Sequence, residues 1–109
     1  MTQYLVLYRS STSPADQMAK TTPEQAQAGM DAWMQWASKA GKAIVDLGSP
    51  LSSVATVGKA DPGQHIGGFS VLQADSKEAL TALLDGHPHF HAPGDNSIEV
   101  LEYLPIPGS

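Results

Sequence analysis

Residues 67–80, GGFSVLQADSKEAL, change their hydrophobic period halfway along. Residues 69–74 (FSVLQA) form a short aromatic and β-branched run after Gly67-Gly68, which reads as a strand. Asp75 or Ser76 then supplies a helix N-cap. Ala79, Leu80, Leu83 and Leu84 follow at helical spacing to about Asp85, where Gly86 stops the helix. A strand that feeds directly into an amphipathic helix fixes the local plan, and the neighbouring segments extend it.

Upstream, residues 3–9 (QYLVLYR) form an unbroken strand signal, and the Ser- and Thr-rich residues 10–22, interrupted by Pro14, read as a loop. Thr22, Pro23 and Glu24 then give an N-cap hydroxyl, a proline at the first helical position and an acid in the first turn, and Gln25 completes a capping box. That helix is expected to run to Ala40, stop at Gly41, and present Ala26, Met30, Trp33, Ala37 and Ala40 as its apolar stripe, flanked by Met34 and Trp36. Residues 43–47 (AIVDL) are a second strand, closed by Gly48, Ser49 and Pro50. Residues 54–57 would make at most a short strand, and Asp61-Pro62-Gly63 is a turn signal. Residues 97–104 (SIEVLEYL) are the last strand, ended by Pro105 and Pro107.

The order β-α-β-β-α-β is that of a ferredoxin-like α+β sandwich, one antiparallel sheet with both helices on one face. The 109 residues and 11.5 kDa suit a single domain spanning residues 1–109. Strand parity sorts the side chains into two sets. Leu5, Leu7, Val45, Leu47, Phe69, Val71, Ile98 and Val100 form a wholly apolar set, expected beneath the helices. Tyr4, Val6, Tyr8, Ile44, Asp46, Ser70, Leu72, Glu99, Leu101 and Tyr103 form a mixed set, still too apolar for water. A second copy packed through a two-fold axis would cover it, so the sequence predicts a homodimer.

The strand YLVLY, the helical MDAWMQWASKAG, then GSPL, GGFSVLQADSKEAL and the closing SIEVLEYLP together resemble the YCII-related family across residues 3–105. The resemblance implies a dimeric α/β barrel of two ferredoxin-like subunits. Most members have no assigned reaction, and a few relatives are linked to lactone or aromatic-degradation chemistry. Shorter members often carry a histidine in the first helix where this chain has Met30, and the Asp-Gly-Pro-Phe motif of longer members is absent.

Composition narrows the function classes. With no cysteine there is no disulfide or thiolate chemistry. A net charge of −5 gives no general attraction to nucleic acid or anionic lipid. No apolar run reaches the roughly 18–20 residues that span a bilayer, and nothing at the N-terminus reads as a signal peptide, so a cytoplasmic protein is expected. No cofactor motif is present: Gly67-Gly68 lacks the GK[ST] of a phosphate loop. Ser49, Ser52 and Ser53 stand in no nucleophile elbow.

The densest chemistry is GHPHFHAPG, residues 86–94. In an extended loop His87, His89 and His91 would project to one side and converge, to shuttle a proton, hold an anion or bind a divalent metal, although the spacing is not a standard zinc pattern. A loop with one histidine capping the preceding helix is the plainer alternative. Asp46, mid-strand and on the mixed face, is a general-base candidate if it meets His87 or His89, or else a solvated acid paired with Arg9 or Lys42. His65, alone beside glycines, reads as surface. Tyr8 and Tyr103 are expected to line a pocket, with Trp33, Trp36 and His91 as further walls around a small, partly apolar ligand. Two functions fit: a cofactor-independent enzyme using acid–base chemistry near a dimer interface, or a non-catalytic ligand-binding or regulatory module.

Overall fold

A computed structural model describes residues 1–59, 64–92 and 94–107. Four strands, β1 (Thr2–Ser10), β2 (Ile44–Pro50), β3 (His65–Ala74) and β4 (Asn96–Glu102), form one sheet in the order β2-β3-β1-β4. Every pairing is antiparallel. Three helices, α1 (Pro14–Ala19), α2 (Pro23–Ala40) and α3 (Lys77–Leu84), complete a small α+β architecture compatible with a ferredoxin-like sandwich. Single-turn 3-10 helices follow α2 (Gly41–Ala43) and precede β4 (Pro88–His91). No helix among the described residues is long and apolar enough to cross a membrane.

The helix signals act as their chemistry predicts. Thr22 accepts from the Gln25 amide, and the Gln25 side chain accepts from the Thr22 amide, closing the capping box over Pro23. Gly41 ends α2 with φ of +54°, a conformation that favours glycine. Ser76 caps α3 by accepting from the Ala79 amide. Residues 10–22, expected to be loop throughout, instead contain α1. Ser13 accepts from the Asp16 amide and Pro14 stands at the first helical position, so the Pro14 that marked a break is a helix start. Residues 51–59 form no strand, and Val54 and Val57 are exposed. The Asp61-Pro62-Gly63 turn signal lies outside the described residues.

The face assignment is reversed on β1 and β3. Tyr4, Val6, Tyr8, Ser70 and Leu72 are buried beneath the helices with Trp36, Ala40, Leu80 and Leu84. Burying a side chain such as Leu72 or Leu80 contributes about 1.5–3 kcal/mol. Leu5, Leu7, Phe69 and Val71 lie on the opposite, open face and are only half-buried. On β4 the assignment holds: Ile98 and Val100 sit opposite Tyr8 and Val6 and pack against the core, while Glu99 and Leu101 sit opposite Leu7 and Leu5. On that open face Arg9 meets Glu99 at 2.6 Å. The tyrosines mislead a parity argument because a ring under a helix layer buries more apolar area than a Leu once its hydroxyl has a partner.

The stripe on α2 is shorter than expected. Trp36 and Ala40 are buried and Trp33 and Ala37 half-buried, but residues 23–31, with Ala26 and Met30 among them, are exposed. On α3, Leu80 and Leu84 point inward, Leu83 is half-buried and Ala79 is exposed. The amino-terminal half of α2 therefore extends past the body of the domain.

Candidate functional site

The site is built where β1, α2 and the 3-10 turn Pro88–His91 meet. Gly86 (φ +72°) releases the chain from α3, and Pro88 opens the turn. The three histidines therefore lie on a tight helical turn and not on the expected extended segment, so they do not all converge. His87 and His89 are buried while His91 is exposed. Among the described residues no cluster of three or more potential metal ligands is present.

His89 anchors the turn. Its Nε2 lies 2.8 Å from the Arg9 carbonyl and 3.1 Å from the Ser97 carbonyl, so a single N–H is shared between neighbouring strands β1 and β4. Its backbone amide donates to His87 Nδ1 at 3.0 Å. Because Nδ1 accepts, the ring proton of neutral His87 must sit on Nε2. That Nε2 is buried, and it has no hydrogen-bond partner among the described residues.

An aromatic box encloses His87. Tyr8 stacks on it with ring centroids 5.1 Å apart. Trp33 and Trp36 approach at steep angles, with centroids at 4.5 Å and 4.4 Å. Burial, with a smaller push from His89, lowers the His87 pKa to about 4, so the imidazole is neutral near pH 7. In this environment His87 is a fixed hydrogen-bond donor aimed among rings.

Tyr8 is held from its far end. Ser70 Oγ donates to the Leu47 carbonyl at 2.6 Å, which uses the only hydroxyl proton of Ser70. The 2.9 Å contact between Tyr8 and Ser70 therefore has Tyr8 as the donor. Burial raises the Tyr8 pKa, so the phenol stays protonated. Sequence reasoning identified Tyr8 and missed Ser70. The available signal was a small hydroxyl two residues before Leu72, on the same strand face.

The remaining sequence candidates separate. Asp46 is exposed on edge strand β2, where its Oδ1 accepts the Gly48 amide at 2.8 Å and shapes an irregular stretch of the strand. Gly48 is essential there (φ +87°), because a Cβ would stand 1.7 Å from the Phe69 carbonyl oxygen. No described hydrogen bond joins Asp46 to a histidine, and β3 and β1 lie between its strand and β4. Tyr103 lies beyond β4 and is exposed, so it does not share a pocket with Tyr8. His65 opens β3, half-buried opposite Ser10.

Trp36 also borders an open groove of about 620 Å³ between α2 and α3, with Gln35, Lys39, Leu83, Pro88 and His91 among its walls. Its indole N–H donates to the Leu83 carbonyl at 3.2 Å, tying the two helices together. One indole thus stands between an open groove and the His87 box.

No protein-family model matches the chain, and no curated protein matches it. Among solved structures it is similar to 5-chloro-2-hydroxyhydroquinone dehydrochlorinase (TftG) from Burkholderia phenoliruptrix AC1100, in complex with 2,5-dihydroxybenzoquinone. The two are 16% identical, the match covers 94% of this chain and 93% of that chain, and the TM-score is 0.56. The likeness extends over the whole fold.

Proposed function

We propose that this chain is a YCII-like homodimer that binds a small, flat, partly apolar molecule at the His87 box and acts on it through the His87 Nε2–H. The observation that carries this reading is the buried Nε2–H without an acceptor, since a buried donor left unpaired costs about 1–3 kcal/mol and a ligand oxygen would relieve that cost. Aromatic walls supply stacking area, and a neutral imidazole can polarise a carbonyl or stabilise a developing phenolate by donation. Asp46 has no place in this chemistry. The quinone held by the structurally similar dehydrochlorinase supports a ring with oxygen substituents as the ligand class.

The second copy belongs on the open face. Leu5, Leu7, Phe69, Val71 and Leu101 form an apolar surface across the sheet, which supports face-to-face packing of two sheets. The family resemblance in sequence and the fold likeness both support that assembly.

Calorimetric titration with 2,5-dihydroxybenzoquinone, for wild type and His87→Phe, tests the site. Saturable binding weakened about tenfold or more by the variant is expected, because one hydrogen bond to ligand is lost. Equal affinity for the two proteins refutes the assignment. A second reading, a non-catalytic binding module, is favoured by one observation: no carboxylate hydrogen-bonds to His87 among the described residues. Binding that leaves hydroxylated and chlorinated quinols unchanged by NMR would select that reading.

A further inference from the structure

The His87 box is full, and the residue that fills its outer side differs from the others. Tyr8, Trp36 and His87 are buried, whereas Trp33 is only half-buried. Trp33 touches all three rings, with centroids 5.0 Å from Tyr8, 4.5 Å from His87 and 6.3 Å from Trp36. Trp36 is tied by its indole N–H to Leu83, while the Trp33 indole makes no hydrogen bond among the described residues. Trp33 is also placed where α2 leaves the body. Residues 23–31 before it are exposed, and its helix neighbours Met30 and Met34 are 59% and 54% exposed. A helix end with few buried contacts opens at low cost, and flexible methionines make a yielding rim.

We propose that the indole of Trp33 occupies the ligand's seat: a flat ring carrying an acceptor oxygen displaces it, packs against Tyr8 and Trp36, and accepts the His87 Nε2–H. This rests on reading the His87 box as the binding site, and it names both the gate and the feature the ligand must have. An indole fills the box in shape but offers no lone pair to His87, because its nitrogen is only a donor. A hydroxyquinone or phenolate ring fits in the same space and supplies that lone pair. Selection then follows from chemistry: rings lacking an acceptor gain nothing by displacing Trp33. His89 acts at one remove as a positioning residue, since its amide holds the His87 proton on Nε2.

The test compares the full-length wild type with Trp33→Ala by calorimetric titration with 2,5-dihydroxybenzoquinone. The variant is expected to bind about tenfold or more tightly, because the fraction of molecules with an open seat no longer limits affinity. Adding His87→Phe to Trp33→Ala should abolish the gain. Equal or weaker binding by Trp33→Ala, with wild-type binding still dependent on His87, overturns the seat and leaves the site standing. Absence of His87-dependent binding in every variant overturns both. If Trp33→Ala does not fold, Trp33→Leu opens a smaller space and the same comparison applies. Only two tryptophans are present, so Trp36→Phe leaves Trp33 as the sole indole. Its acrylamide quenching should rise about twofold or more on ligand binding, as expected for an indole moved from a half-buried position into water. Unchanged quenching at saturating ligand overturns the displacement.

Discussion

Replacing His87 by Phe should flatten the acid limb of the protein's stability curve. In the folded chain the imidazole is buried between Tyr8, Trp33 and Trp36, and its pKa falls from 6.5 to about 4. The groups that face it are the Tyr8 phenol on β1 and His89 on its own turn, while α2 contributes only indoles. Because the folded state binds this proton more weakly than the unfolded state, the unfolded chain takes it up first as pH falls. The stability His87 contributes is complete above about pH 6.5, declines as pH drops, and is exhausted below about pH 4. At about 1.36 kcal/mol per pKa unit, the wild type loses on the order of 2 kcal/mol through this group between pH 7 and about pH 4.5.

Acidification acts on the whole chain, so the informative quantity is a double difference. Urea unfolding free energies are measured at both pH values for wild type and His87→Phe, and the losses are subtracted. The variant should lose on the order of 2 kcal/mol less than wild type. Phe also removes the unpaired Nε2–H, so its stability at pH 7 should change by no more than about 1–2 kcal/mol. Parallel curves for the two proteins would mean that His87 is solvated when folded, and the closed box would be refuted with it.

The hydrogen-bond directions make Ser70 more valuable than the hydroxyl of Tyr8. Ser70→Ala strands both the phenol and the Leu47 carbonyl and should cost about 1–3 kcal/mol in urea unfolding, whereas Tyr8→Phe leaves Ser70 bonded to Leu47 and should cost about 0.5–1.5 kcal/mol; the reverse ranking would invert the assigned donors. His89→Ala should release the turn from Arg9 and Ser97 at about 1–3 kcal/mol and broaden the His87 ring-nitrogen signals in NMR, because the turn that aims the residue-89 backbone amide at Nδ1 is loosened although the amide itself is kept; a sharp, unshifted His87 signal would show that the turn holds itself. Leu7→Asp on the open face should yield monomers in sedimentation velocity and leave the helix-side core intact by circular dichroism, and an unchanged sedimentation coefficient would refute packing through that face.

Some features were legible because they depend on neighbours in the chain. The Thr22–Gln25 capping box, the Gly41 stop and the Ser76 cap are each decided within about four residues, and each stands where its chemistry places it. The site was legible as an inventory and less so as geometry. Tyr8, Trp33, Trp36, His87 and His89 were all visible candidates, but alternation along an extended loop suggested three equivalent histidines. A single 3-10 turn opened by Pro88 instead separates buried His87 and His89 from exposed His91. Asp46 looked costly in its strand because its answer is local: the carboxylate accepts the Gly48 amide at an exposed, irregular edge.

The inverted faces carry the larger physical lesson. Both sheet faces were read as too apolar for water, and on β1 and β3 the purer set was assigned to the helices as though they were the driest layer. Helices α2 and α3 in fact cover Tyr8, Ser70, His87 and His89, polar groups that survive burial because nearly every donor and acceptor among them is paired. A layer that houses chemistry must contain hydroxyls and imidazoles, so its strand face is the mixed one. The plainer face, Leu5, Leu7, Phe69 and Val71 with Leu101 beside them, has no such group to protect and suits a surface whose task is packing. The exception on each side is informative. Arg9 and Glu99 pair with each other on the open face, an exposed ion pair worth about 0–1 kcal/mol that helps set register rather than stability. Among the described residues two buried side-chain atoms lack a partner, His87 Nε2 and Asn96 Oδ1, and only the first is a donor that an acceptor oxygen could meet.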